Sequence, residues 1–211
     1  MKKLDTTLYF ITDSTGLERE DFLRITEAAL SGGATMVQIR EKNKTTREYI
    51  ELAADVHKLT QKYNVPLIID DRIDVALAIG AEGVHLGQTD MPIDIARSIL
   101  GNGVIIGATT KTVEQAKEAQ AKGADYLGVG AIYPTTTKVQ TVLTPVSTLK
   151  DICKAVDIPV NAIGGLNKDN VYVLENTGIS GLCVVSAIMK AQDPKTETQT
   201  LLKLAKELKN D

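Results

Sequence analysis

The sequence predicts an α/β fold, a single (β/α)8 TIM barrel spanning residues 1–211, from three features. Short β-prone runs alternate with helical runs eight times, several of the strands are apolar on both faces, and the connections are short with no polar or Gly/Pro-rich linker between them. An open doubly wound sheet would share the alternation, so closure into a barrel rests on the count of eight.

Taken in order, residues 8–11 form the first β-prone run. Phe22, Ile25, Ala29 and Leu30 then recur at helical spacing over 22–30, and Gly32 and Gly33 stop that helix. Residues 36–39 predict the second strand and 46–59 the second helix; a turn at Tyr63 and Asn64 leads to a third strand opening over 66–69. A short helix over 74–79, a strand over 83–86 and a helix over 93–100 behind Pro92 follow. Strand 104–107 pairs with helix 113–121 before Gly123, and strand 126–132 with helix 146–156. Strand 159–163, a helix over 170–175, strand 181–185 and a closing helix over 201–208 complete the eight units. The longest irregular stretch, 133–145, reads as an active-site loop or as a flexible surface loop.

Composition narrows the function classes. A chain of 211 residues with 43% hydrophobic and 24% charged residues can bury a sizeable core, which excludes disorder of the whole chain. Its net charge of -3, with lysines and arginines dispersed, lacks the basic stripe that nucleic-acid binding requires. No segment has the length and apolarity of a membrane span, and the apolar stretch after Met1 is too short and too interrupted by acids for a signal peptide. Cys153 and Cys183 sit in apolar patterns without metal-ligand spacing and read as reduced core residues, which points to the cytoplasm. Self-association is left open.

The case for an enzyme comes from register. Gln38, Arg40 and Lys42 close the second strand; Asp70, Asp71 and Arg72 close the third; Gln88 and Asp90 follow the fourth, and Thr109 the fifth. Residues 133–138 follow the sixth, Gly164 and Gly165 the seventh, and Ser186 the eighth. In a barrel all of these meet at one mouth.

Each group also has a plainer reading. Arg40 and Lys42, two apart and therefore on one side of an extended chain, offer a guanidinium fork and an adaptable point charge to an anion, or form a solvated cluster with Glu41. Asp71 and Asp90 leave neighbouring strands and suit a hard cation such as Mg2+ that keeps water and phosphate oxygens. Alternatively, Asp71 pairs with Arg72 or caps a helix, and Asp90 caps the helix opened by Pro92. Gly164 and Gly165 either make a turn or, with Val185 and Ser186, a phosphate cup at the usual barrel position. Thr135, Thr136 and Thr137 can donate to phosphate oxygens while Lys138 reaches inward. His57 and His85 form no metal motif or nucleophilic triad; His85 reads as a hydrogen-bonded structural group facing the barrel interior.

In order, the segments Val37-Gln38-Ile39-Arg40-Glu41-Lys42, Asp70-Asp71-Arg72, Gly83-Val84-His85-Leu86-Gly87-Gln88-Thr89-Asp90, Tyr133-Pro134-Thr135-Thr136-Thr137-Lys138, Ile163-Gly164-Gly165 and Val184-Val185-Ser186 closely resemble the thiamine-phosphate synthase family. The resemblance covers nearly the whole chain. It implies a Mg2+-dependent transferase that joins 4-amino-5-hydroxymethyl-2-methylpyrimidine diphosphate to 4-methyl-5-(2-hydroxyethyl)thiazole phosphate, giving thiamine phosphate and diphosphate. It further implies that Gln38 contacts the pyrimidine, Arg40 and Lys42 hold the diphosphate, and Asp71 and Asp90 hold Mg2+. Thr109 and Lys138 would assist at the same substrate, and Thr135, Thr137, Gly165, Val185 and Ser186 would hold the thiazole phosphate.

Three positions depart from the commonest family pattern. Thr109 stands for a serine and keeps its hydroxyl, and Ala131 stands for a proline before the loop. Asp70 stands for an asparagine that helps hold diphosphate, and its extra charge calls for compensation by Mg2+, Arg72 or protonation. A thiazole tautomerase or a noncatalytic phosphate-ligand sensor would use the phosphate cup without needing the cationic and acidic groups.

Overall fold

A computed structural model of the chain describes residues 4–135 and 142–210. Eight parallel strands close on themselves in sequence order: β1 (Leu8–Ile11), β2 (Met36–Ile39), β3 (Leu67–Asp70), β4 (Gly83–Leu86), β5 (Ile105–Thr110), β6 (Tyr126–Gly130), β7 (Val160–Ile163) and β8 (Gly181–Val184). The eighth strand pairs back to the first, with Tyr9 opposite Cys183, so the open-sheet alternative is excluded. Helices α1 (Arg19–Gly32), α2 (Thr46–Tyr63), α3 (Ile73–Ile79), α4 (Ile93–Leu100), α5 (Val113–Ala121) and α6 (Val146–Ala155) follow the first six strands. A short 3-10 turn (Val171–Leu174) follows the seventh, and α7 (Ser186–Met189) and α8 (Pro194–Asn210) follow the last. No described helix is long and apolar enough to cross a membrane, and both cysteines are free.

The period-two alternation of the strands splits the interior into two cores. Outward residues such as Leu8, Phe10, Val37, Ile39, Leu67 and Ile69 pack beneath the helices, while Tyr9, Ile11, Met36, Ile68, Tyr126 and Cys183 fill the barrel. Tyr126 fits inside because its neighbour Gly107 has no side chain. A Cβ on Gly107 would lie 2.1 Å from Cζ of Tyr126, far inside contact distance. Gly107→Ala is therefore expected to lower stability by about 3 kcal/mol, the upper end of overpacking costs, as measured by urea unfolding; a change below about 1 kcal/mol would show that Tyr126 has room to move.

Where the elements differ from the periodicity, polar ends account for it. The first helix begins at Arg19, because Glu20 and Asp21 suit the positive helix start but carry no apolar repeat. The second runs on to Tyr63, opened by a reciprocal Thr45–Glu48 capping box and closed by Asn64 at φ 54°. The fifth strand continues through Ala108, Thr109 and Thr110, and the sixth stops at Gly130 rather than 132. The seventh helical position is a single 3-10 turn, and α7 was not evident in the sequence. The last helix starts at Pro194, seven residues before its apolar repeat, because the Asp193 carboxylate accepts from the N–H groups of Lys195 and Thr196 at 3.1 Å each.

Candidate active site

The carboxyl ends of the strands surround one cavity lined by Gln38, Arg40, Asp70, Thr109, Thr135, Gly165, Val185 and Ser186. Asp71 and Asp90 leave β3 and β4 beside it, and Lys42 reaches the β3 exit from β2. Thr137 and Lys138 lie outside the described residues.

At the β2–β4 side the charges interlock. Lys42 Nζ lies 2.6 Å from Asp70 Oδ2 and also bonds the Asp71 carboxylate; Arg40 Nε lies 3.7 Å from the same Asp70 oxygen. That oxygen is buried and accepts no well-aligned hydrogen bond, so its charge is offset through space by the two cations. Burial pulls the Lys42 ammonium down, but its pairing with the Asp70 and Asp71 carboxylates outweighs this and holds it above the usual lysine range. Burial pushes the Asp71 carboxyl up; the charges of Asp70 and Asp90 push the same way, against the bond from Lys42. Asp71 sits at φ 50°, a left-handed conformation that Asp tolerates, which turns the chain out of β3 toward α3.

Several of the plainer readings do not hold here. Arg72 donates to Asp74 and Thr46 instead of pairing with Asp71 or compensating Asp70. Asp90 does not cap α4; its Oδ2 accepts from the Gly87 N–H at 2.7 Å and closes the turn after β4. Glu41 is no part of a solvated cluster, since its side chain is buried and accepts from the Ser14 hydroxyl at 2.8 Å.

The donors around Asp71 and Asp90 are carboxylate oxygens. Among the described residues no three His, Cys, Asp or Glu side chains gather at metal-binding distance, so a closed zinc-type centre is not built here. Two interacting carboxylates on a rim fit an ion such as Mg2+, which keeps water and takes phosphate oxygens.

Between the two halves of the mouth runs a buried polar chain that sequence reading missed. Gln38 Nε2 donates to the Tyr9 hydroxyl at 2.5 Å, which lies 2.8 Å from the Tyr126 hydroxyl. Tyr126 lies 3.1 Å from His85 Nδ1, and His85 Nε2 lies 2.9 Å from the Thr109 hydroxyl. Each phenol has one proton to give. Gln38 donates at one end, and the His85 tautomer sets the direction along the Tyr126 and Thr109 contacts. Burial pushes both phenols well above the usual tyrosine range, so they stay neutral.

On the opposite side Gly164 and Gly165 take φ 104° and 66°, where side chains are strained, and a Cβ on Gly165 would meet the Pro134 carbonyl oxygen at 2.7 Å. The glycines thus let the loop after β6 press against the β7 exit, bringing Thr135 beside Gly165, Val185 and Ser186. Lys111, also missed, lines the cavity and donates to the carbonyls of Gly130 and Val142, one before and one after the loop.

Comparison with known proteins identifies this architecture. Residues 8–188 match the family model described as "Thiamine monophosphate synthase". The thiamine-phosphate synthase of Methanobrevibacter smithii is 51% identical over 203 residues, covering 96% of this chain and 97% of the relative. That of Clostridium tetani is 48% identical over 200 residues, covering 95% and 96%. The solved thiamine phosphate pyrophosphorylase from Pyrococcus furiosus superposes with a TM-score of 0.86 at 42% identity, covering 98% of each chain. With its residues 8–188 matched by the family model and relatives of this identity spanning nearly its whole length, the chain belongs to the thiamine-phosphate synthase family.

Proposed function

We propose that the chain is a thiamine-phosphate synthase that joins 4-amino-5-hydroxymethyl-2-methylpyrimidine diphosphate and 4-methyl-5-(2-hydroxyethyl)thiazole phosphate across the cavity at the barrel mouth. Family membership supports the activity. The observation that carries the residue roles is one cavity with two chemically different sides: cations and carboxylates at the β2–β4 exits, and glycine, threonine and serine at the β6–β8 exits.

The residues divide the work as follows. Arg40 and Lys42 receive the diphosphate, Arg40 through its fork and Lys42 as a point charge. Asp71 and Asp90 would hold Mg2+, which when bound supplies Lewis-acid stabilisation of charge on the diphosphate oxygens. Asp70 lies against the diphosphate side, close to Arg40 and Lys42. Gln38, its amide N–H engaged by Tyr9, offers its carbonyl to the exocyclic amine of the pyrimidine, and Thr109 offers its hydroxyl, 2.9 Å from His85 Nε2. Thr135, Gly165, Val185 and Ser186 hold the thiazole phosphate, joined by Thr137; Lys138 belongs to the diphosphate side.

The C–O bond to diphosphate breaks with its electron pair leaving on oxygen. The electron-rich aminopyrimidine supports positive charge at the methylene carbon, and the thiazole nitrogen supplies the pair for the new C–N bond. No proton leaves the attacking nitrogen, so the protein needs no general base; catalysis is positioning and electrostatics.

Incubating the purified protein with both substrates, with and without Mg2+, and following thiamine phosphate and diphosphate by mass spectrometry tests this reading. Product that depends on Mg2+ is expected; no coupled product at high enzyme concentration rejects it. A tautomerase would instead interconvert carboxylated thiazole phosphate tautomers, and a sensor would bind without turnover.

A further inference from the structure

We infer that Asp70 makes diphosphate binding conditional on a divalent cation, by serving as a built-in counter-ion that occupies Arg40 and Lys42 until the cation rebalances the site. The inference rests on the proposed roles of Arg40, Lys42, Asp71 and Asp90.

The geometry points this way because one Asp70 oxygen faces both cations, at 3.7 Å from Arg40 and 2.6 Å from Lys42, while Lys42 is shared with Asp71. The Asp70 side chain is only 14% exposed, and its Oδ2 has no aligned hydrogen bond to replace those cations. A diphosphate arriving alone must take Lys42 from two carboxylates and leave Asp70 charged and partly desolvated beside a second anion. Removing one partner from such a pair is costly.

The charge balance decides the direction. Lys42 lies against Asp70 and Asp71, Arg40 lies against Asp70, and the Asp90 charge acts on Asp71, so these five side chains are net negative before Lys138 of the loop is counted, and a divalent cation at Asp71 and Asp90 reverses their sign. An amide at position 70 would keep the shape of the side chain and remove one negative charge. Those five side chains would then be neutral without the metal, with Arg40 released and Lys42 held by Asp71 alone. As a third negative charge beside Asp71 and Asp90, Asp70 also strengthens binding of the cation alone.

The test is isothermal titration of inorganic diphosphate into the full chain, in chelator and again in saturating Mg2+. It compares the unmodified protein with Asp70→Asn, Asp70→Ser and the control Asp74→Asn, whose carboxylate pairs with Arg72 on the first turn of α3. In chelator the two Asp70 variants are expected to bind about tenfold tighter, within the range of ordinary coupling energies, and to gain correspondingly less from Mg2+. They should also bind Mn2+ alone more weakly, and Asp74→Asn should match the unmodified protein. Tighter metal-free binding by either folded variant supports the inference; unchanged or weaker binding by both overturns it. A protein that makes thiamine phosphate but fails this comparison loses the inference alone. If the unmodified protein binds no diphosphate even with Mg2+, the proposed roles of Arg40 and Lys42 fall with it.

Discussion

Asp90→Asn is expected to lower kcat/KM for the pyrimidine diphosphate by roughly 10²–10³, the loss that follows removal of one stabiliser of transition-state charge, and to move the Mg2+ midpoint to higher concentration. The asparagine is the informative replacement because the proposed metal role of Asp90 stands beside a structural one. Its Oδ2 accepts from the Gly87 N–H at 2.7 Å and closes the turn after β4. An amide carbonyl can accept the same bond, so the turn survives while the charge that would hold the cation is lost. Asp90→Ala removes both. Turnover as a function of Mg2+ concentration separates the roles: equal losses in the two variants assign Asp90 to the metal, whereas an active Asn variant beside an inactive Ala variant would make it a loop residue only.

Arg40→Ala is expected to cost a similar factor of roughly 10²–10³ in kcat/KM, carried by the pyrimidine diphosphate, while KM for the thiazole phosphate stays within about twofold because Arg40 leaves β2 and pairs with Asp70 of β3, whereas Gly165, Val185 and Ser186 follow β7 and β8. Arg40→Lys should recover only part of the loss, since a point charge cannot reproduce a planar fork. Steady-state kinetics with each substrate varied in turn makes the comparison. Equal increases in both KM values would mean that Arg40 holds the shape of the mouth rather than the diphosphate.

Much of this site was legible in the sequence because barrel topology converts strand ends into a map. Once residues 36–39 and 66–69 read as consecutive strands, Arg40, Lys42, Asp70 and Asp71 had to emerge together, and the structure brings them into direct ion pairs. Linear order says nothing about which cation meets which carboxylate. Arg72, adjacent to Asp71, turns to Asp74 and Thr46, while Lys42, 29 residues away, takes both aspartates.

The polar chain inside the barrel was hidden for a different reason. A tyrosine in an apolar strand reads as core, and Tyr9 and Tyr126 are core by packing; only the closed barrel brings hydroxyls 117 residues apart within 2.8 Å. Gly107 and Gly128, which give Tyr126 and His85 their space, resemble ordinary strand glycines until the facing side chains are known. Alternation with Val84 and Leu86 suffices to predict that His85 points inward, where it contacts the Tyr126 and Thr109 hydroxyls. Lys111 was missed because its strand runs to Thr110, three residues past its apolar end.

A single mouth that takes diphosphate on one side and thiazole phosphate on the other is the central proposal. The most direct measurement is a crystal structure of the protein grown with thiamine phosphate, diphosphate and Mg2+. It should show diphosphate on Arg40 and Lys42, the metal on Asp71 and Asp90, and the phosphate of thiamine phosphate against Gly165, Val185 and Ser186. Diphosphate bound away from Arg40 and Lys42, or a metal ligated by neither aspartate, would contradict it.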